Sequence, residues 1–203
     1  SSSSIISGLG TQISVTGQTG LTQGASVNGT WNIGGLVASS GGDAIVITPL
    51  RGTGSAGITM NILPSGQVQA AENAITVYHS LVGVGQLHYT LNNQGTILAG
   101  EDGLNVLVSE LSTGPGSVTV NNSGVMGHAA HPIGGSAVNI TSLATGIGGT
   151  STTIEVMNDP NGNSLPGAGT MYSVGNTINI RQIAGNSTVT DRKSTRLNSS
   201  HLG

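Results

Sequence analysis

Several things are missing from this 203-residue chain, and each absence excludes something. It has no cysteine, which rules out a disulfide scaffold and a thiolate metal site. It has no phenylalanine, one tryptophan and three tyrosines, so there is almost nothing on which nucleic-acid bases could stack. Charged residues make up only 6% of it, against roughly 25% in an average globular domain. Up to Thr190 the only basic residues are Arg51 and Arg181, against seven acids, a net charge of −5. Such a surface offers nothing basic to a phosphate backbone, so no nucleic-acid partner is expected. No run of about 18 apolar residues occurs, so no transmembrane helix is expected.

What remains is rich in Gly, Ser, Thr and Asn, with Ile, Val and Thr recurring in short alternating runs. Disordered chains are poor in β-branched residues, so the composition points to ordered β-structure with many turns. The chain starts Ser-Ser-Ser-Ser-Ile-Ile with no basic n-region, and is expected to be a fragment of a longer one. Three of the five basic residues fall within Asp191–His201, DRKSTRLNSSH. That stretch resembles the in-frame translation of a sequencing-library adapter. Residues 191–203 are therefore expected to be a disordered artefact and 1–190 the folded region.

A repeat of about thirty residues organises the body. ITMNILPSGQVQA (Ile58–Ala70) aligns with YTLNNQGTILAG (Tyr89–Gly100) and VTVNNSGVMG (Val118–Gly127). Gly66, Gly95 and Gly124 stand 29 residues apart, and Gly35 lies 31 before Gly66. A second anchor is a small turn followed by an apolar/any/apolar strand. Its first apolar positions are Ile13, Ile45, Ile75, Leu104, Val138 and Ile178, at spacings of 32, 30, 29, 34 and 40. The longer spacings absorb insertions at Gly127–Gly135 and Asn158–Gly169.

Strands of three to five residues are too short to stand as isolated hairpins. If each repeat is one coil, equivalent strands stack in parallel about 4.8 Å apart and their alternating apolar residues line one continuous core. The pattern predicts an all-β fold, a right-handed parallel β-helix (β-solenoid) of about six coils. The handedness follows from the rule that about 98% of parallel crossovers are right-handed. Gly at a fixed column suits a corner of positive φ. Asn92–Asn93 and Asn121–Asn122, 29 apart, should stack and hydrogen-bond along the column. An immunoglobulin-like sandwich would not repeat at a fixed offset, and the fixed Leu/Asn pattern of leucine-rich repeats is missing.

The units NNQGTILAGEDGLNVLV and NNSGVMG…GSAVNIT resemble passenger-domain repeats of autotransporters and related large bacterial adhesins. The resemblance spans about Thr11–Thr190. It implies a secreted, cell-surface solenoid held at the outer membrane by a C-terminal β-barrel in the full-length chain. The implied partners are host glycans or surface proteins.

Polysaccharide-cleaving β-helices form the rival class. Glycoside hydrolysis needs two carboxylates about 5–9.5 Å apart. The best constellation here is Glu72 and Glu101 on adjacent coils, with Asp102 beside them and Asp43 one coil earlier. It is read as a solvated turn column, because exposed like charges about 5 Å apart repel by only about 1 kcal/mol in water. His128 and His131 are read as a surface loop, since a metal site needs three or four ligands. Tyr78, His79, His88 and Tyr89 are read as edge residues flanking a loop. No G-x-S-x-G elbow, P-loop, dinucleotide fingerprint or Ca²⁺-binding nonapeptide is present. Thr is too scattered for an ice-binding face. No catalytic residue, metal ligand or cofactor is assigned, and the two insertions are the expected contact loops.

Overall fold

A computed structural model describes residues 5–10, 12–17, 27–49, 55–83, 87–112, 116–144, 152–158, 169–182 and 189–192. Every named strand lies in one of three parallel sheets of six strands each. The chain visits the sheets in strict rotation, so strand n always pairs with strands n−3 and n+3. The first sheet holds the short strands β1 (Ile5–Gly8), β4 (Leu36–Ser39), β7 (Gln67–Ala70), β10 (Thr96–Ala99), β13 (Val125–Met126) and β16 (Thr170–Met171). The second holds β2 (Ile13–Gly17), β5 (Ile45–Pro49), β8 (Ile75–Gly83), β11 (Leu104–Ser112), β14 (Val138–Ala144) and β17 (Ile178–Gln182). The third holds β3 (Val27–Ile33), β6 (Ala56–Ile62), β9 (Leu87–Asn93), β12 (Gly116–Asn122), β15 (Thr152–Asn158) and β18 (Val189–Arg192). The fold is a parallel β-solenoid, as the repeat predicts.

The apolar anchor of each repeat falls in a single register. Ile13, Ile45, Ile75, Leu104, Val138 and Ile178 pair in succession down the second sheet. In the third sheet, β6 and β12 alternate buried and half-buried residues without a break, which is the period-2 signature of a strand with one face in a core. The inner columns are branched aliphatics over branched aliphatics, such as Val37, Val68 and Ile97 in the first sheet. Fully burying each such side chain contributes about 1.5–3 kcal/mol.

Strands in the second sheet are longer than the sequence suggests, nine residues in β8 and β11. The polar Tyr78, His79 and Ser80 do not end β8, because they pair with Leu107, Val108 and Ser109 of the next coil. Inter-coil backbone bonds override local polarity there. The last strand, β18, includes Asp191 and Arg192, paired to Val156 and Met157; residues 193–203 lie outside the described ones.

The glycine column is real, but its cause differs from the expected positive φ. Only Gly127 and Gly169 have positive φ among the described glycines, 74° and 64°. At Gly66, Gly95 and Gly124 the constraint is close approach. A Cβ on Gly66 would strike the Ile33 carbonyl oxygen, one on Gly95 the Gly66 oxygen, and one on Gly124 the Gly95 oxygen. The corner of each coil rests directly on the backbone of the coil before it.

Candidate functional site

The acidic column separates into two kinds of residue. Asp43 and Asp102 sit half-buried just before β5 and β11 and hold the next coil in place. Asp43 Oδ1 accepts from the Asn73 backbone N–H at 2.9 Å and from Asn73 Nδ2 at 3.0 Å, while its Oδ2 accepts from Thr76 Oγ1 at 2.6 Å. Asp102 Oδ1 accepts from the Ser136 backbone N–H at 2.7 Å, and its Oδ2 from Asn139 Nδ2 at 2.7 Å. Asn73 between them continues the chain, its Oδ1 accepting from the Asp102 N–H at 3.1 Å. Each side chain thus supplies an acceptor to a corner N–H that no sheet ladder reaches. Glu72 and Glu101 do stack on adjacent coils, the Glu101 N–H donating to the Glu72 carbonyl at 3.0 Å, and both side chains are exposed. No group of three or more His, Cys, Asp or Glu suited to a metal ion occurs among the described residues.

The first insertion is a short hairpin with an anchor. His128 and His131 exchange both backbone hydrogen bonds, at 3.0 and 2.9 Å, around Ala129–Ala130. The Ala130 N–H donates to His128 Nδ1 at 3.1 Å, so the neutral ring carries its proton on Nε2 and offers no lone pair there to a metal. Both histidines are exposed. Ile133, by contrast, is fully buried and bonds Tyr172 and Val174 of the next coil. Only part of this insertion can therefore serve as a contact loop. Of the second, residues 159–168 lie outside the described ones.

The four residues read as an edge group split as well. Tyr78 is 43% exposed and His88 is exposed, its Nδ1 2.9 Å from Ser117 Oγ. The His79 side chain lies outside the described ones. Tyr89 is not an edge residue: it is fully buried, because the alternation of β9 turns it inward between Ile58 and Val118 of the neighbouring coils. Its hydroxyl meets no hydrogen-bond partner, and burial raises its pKa above the ordinary value near 10.

The amides make the most extended polar feature. On the outer face of the third sheet Asn61, Asn92 and Asn121 each donate from Nδ2 to the Oδ1 of Asn32, Asn61 and Asn92, at 2.8, 2.8 and 2.7 Å. An inner ladder runs beside it with opposite polarity, Asn93 donating to Asn122 at 2.7 Å and Asn122 to Asn158 at 2.8 Å. Asn93 Oδ1 also accepts from the Gly95 N–H at 3.2 Å, capping the corner. The outer ladder stops at Asn121, because Met157 follows it in register, and Asn121 Oδ1 is buried without a partner. Over this face lies a shallow groove of about 250 Å³, lined by the outer amides together with Leu63, Gln94 and Ser123.

No family model, curated protein or solved structure matches this chain.

The stacking of Asn92–Asn93 over Asn121–Asn122 was readable from their 29-residue offset. Asn32, Asn61 and Asn158 are absent from that reading; Asn61 stands five residues before Gly66, but Asn32 stands three before Gly35, as Asn92 does before Gly95 and Asn121 before Gly124. That offset was the available signal. Asn158 is set off by the insertion after it, and Gly169, which continues the glycine column ahead of Thr170, is hidden for the same reason.

Proposed function

We propose that this chain is a section of a non-catalytic, extracellular β-solenoid stalk from a bacterial surface protein of the autotransporter-passenger kind. The observation that carries the reading is the engagement of Asp43 and Asp102. The two acids best placed beside the exposed Glu72 and Glu101 are committed through both oxygens to holding the coils together. A carboxylate held on both oxygens by structural donors is a poorer acid, base or cation ligand than a free one. What the solenoid presents to solvent is a stiff, weakly charged surface of amides and hydroxyls. In this role it spaces a contact surface away from the cell, and its partners are host glycans or surface proteins. The full-length protein would be anchored in the outer membrane by a C-terminal β-barrel.

The test sets binding against cleavage. The chain is immobilised and exposed to host-cell glycoproteins and glycans, and separately incubated with pectin-like polysaccharides and Ca²⁺. Retention of a glycan or glycoprotein with no new reducing ends or unsaturated products supports the stalk. Polysaccharide cleavage that is lost in Glu72→Gln or Glu101→Gln overturns it in favour of a polysaccharide-degrading β-helix.

A further inference from the structure

We propose that the groove over Asn61, Asn92 and Asn121 is a binding track for a neutral, hydroxyl-rich linear polysaccharide lying along the solenoid axis. The inference rests on the surface-adhesin reading and names the ligand class of one face.

The chemistry follows from what the ladder leaves over. An Asn side chain has two N–H donors and an oxygen with two lone pairs. In the outer ladder Asn61 and Asn92 each use one N–H and one lone pair on their neighbours. One donor and one acceptor per coil remain, repeated at the coil spacing of about 4.8 Å. A sugar hydroxyl, donor and acceptor at once, matches that pair, and a linear polymer can present hydroxyls coil after coil. Leu63, 37% exposed at the rim, offers an apolar surface to the C–H face of a ring.

Other ligand classes fit less well. Every residue lining the groove is uncharged, so an acidic glycan or a phosphate finds no counter-charge. An extended peptide binds by adding to an open strand edge, but β6, β9 and β12 beneath the groove are paired on both sides. Because the amides are already held by one another, a ligand need not order them, and less binding energy is lost to side-chain entropy.

The experiment is affinity electrophoresis of the whole chain through gels containing an unsubstituted β-glucan, a mannan or polygalacturonate. At least one neutral polymer should retard the chain, and polygalacturonate should not. The double variant Gln94→Ala/Ser123→Ala, altered at the groove rim outside the ladder, should bind roughly five- to tenfold more weakly, the loss of one or two hydrogen bonds. Its melting temperature should fall only slightly, through loss of the Ser123 Oγ bond to the Asn93 carbonyl at 3.3 Å, and Tyr78→Ala on the second sheet should bind normally. Lack of retardation by both neutral polymers, preference for the acidic one, or unaltered binding by the double variant overturns the inference. Binding to host glycoproteins that is indifferent to the double variant would leave the stalk standing and remove only the groove.

Discussion

Tyr89 and the column glycines show how little room single residues have in this fold. The Tyr89 hydroxyl is sealed in the core with no partner, an arrangement that costs about 1–3 kcal/mol relative to a satisfied group. Tyr89→Phe removes that hydroxyl and keeps the ring, so it should stabilise the fold by about 1 kcal/mol in urea titration. A pH signature accompanies it. The folded-state pKa is raised, so the stability contribution is intact below the unfolded value near 10 and falls as the pH climbs above it. The wild type should therefore lose stability above about pH 10 more steeply than Tyr89→Phe; parallel curves would show that the hydroxyl escapes to solvent. Glycines divide by what a methyl would meet. Gly95→Ala drives a Cβ into the backbone oxygens of Leu63 and Gly66 and should cost about 1–3 kcal/mol or more. Gly42→Ala has nothing within 4 Å and a negative φ, and should be neutral or stabilising by up to about 1 kcal/mol.

Among the elements, the two amide ladders lie side by side but differ in what they hold. Asn93 is fully buried, donates to Asn122 and accepts from the Gly95 N–H. Asn93→Ala would leave both of those groups unpaired in the core, at about 1–3 kcal/mol each. The outer Asn92 is half-buried and its neighbours can turn to water, so Asn92→Ala should cost only about 0.5–1.5 kcal/mol. Equal losses in thermal melts of the two variants would contradict the division into a structural inner ladder and a surface outer one. The ladders also explain why strand boundaries were harder to read than strand existence. Local polarity at Tyr78–Ser80 suggests an end to the strand, yet pairing with β11 of the next coil carries β8 on to Gly83.

For the whole molecule, the described strands pair only with those of adjacent coils, so stability is a sum of coil and interface terms. Before the tail trypsin has only Arg51 and Arg181 to cut, and Arg181 lies exposed in β17, the terminal strand of its sheet. Limited trypsin should leave a persistent fragment near 52–181, checked by mass spectrometry. Equally rapid loss of that band under a non-specific protease would mean that the coils are not packed as a continuous solenoid.

The solenoid was legible because a stacked coil writes its period into the chain. Ile13, Ile45, Ile75, Leu104, Val138 and Ile178 must all reach the same inner column, and Gly66, Gly95 and Gly124 the same corner. Column contents between coils were less legible, because insertions break the offset that identifies them, as at Asn158 and Gly169. The tertiary structure alone decided what each column does. It placed Tyr89 in the core, turned Asp43 and Asp102 into acceptors for the next coil, and separated the inner amides from the outer ones. The physical reason is that a side chain's role here depends on residues 29 or more positions away in sequence, which stacking brings into hydrogen-bonding distance.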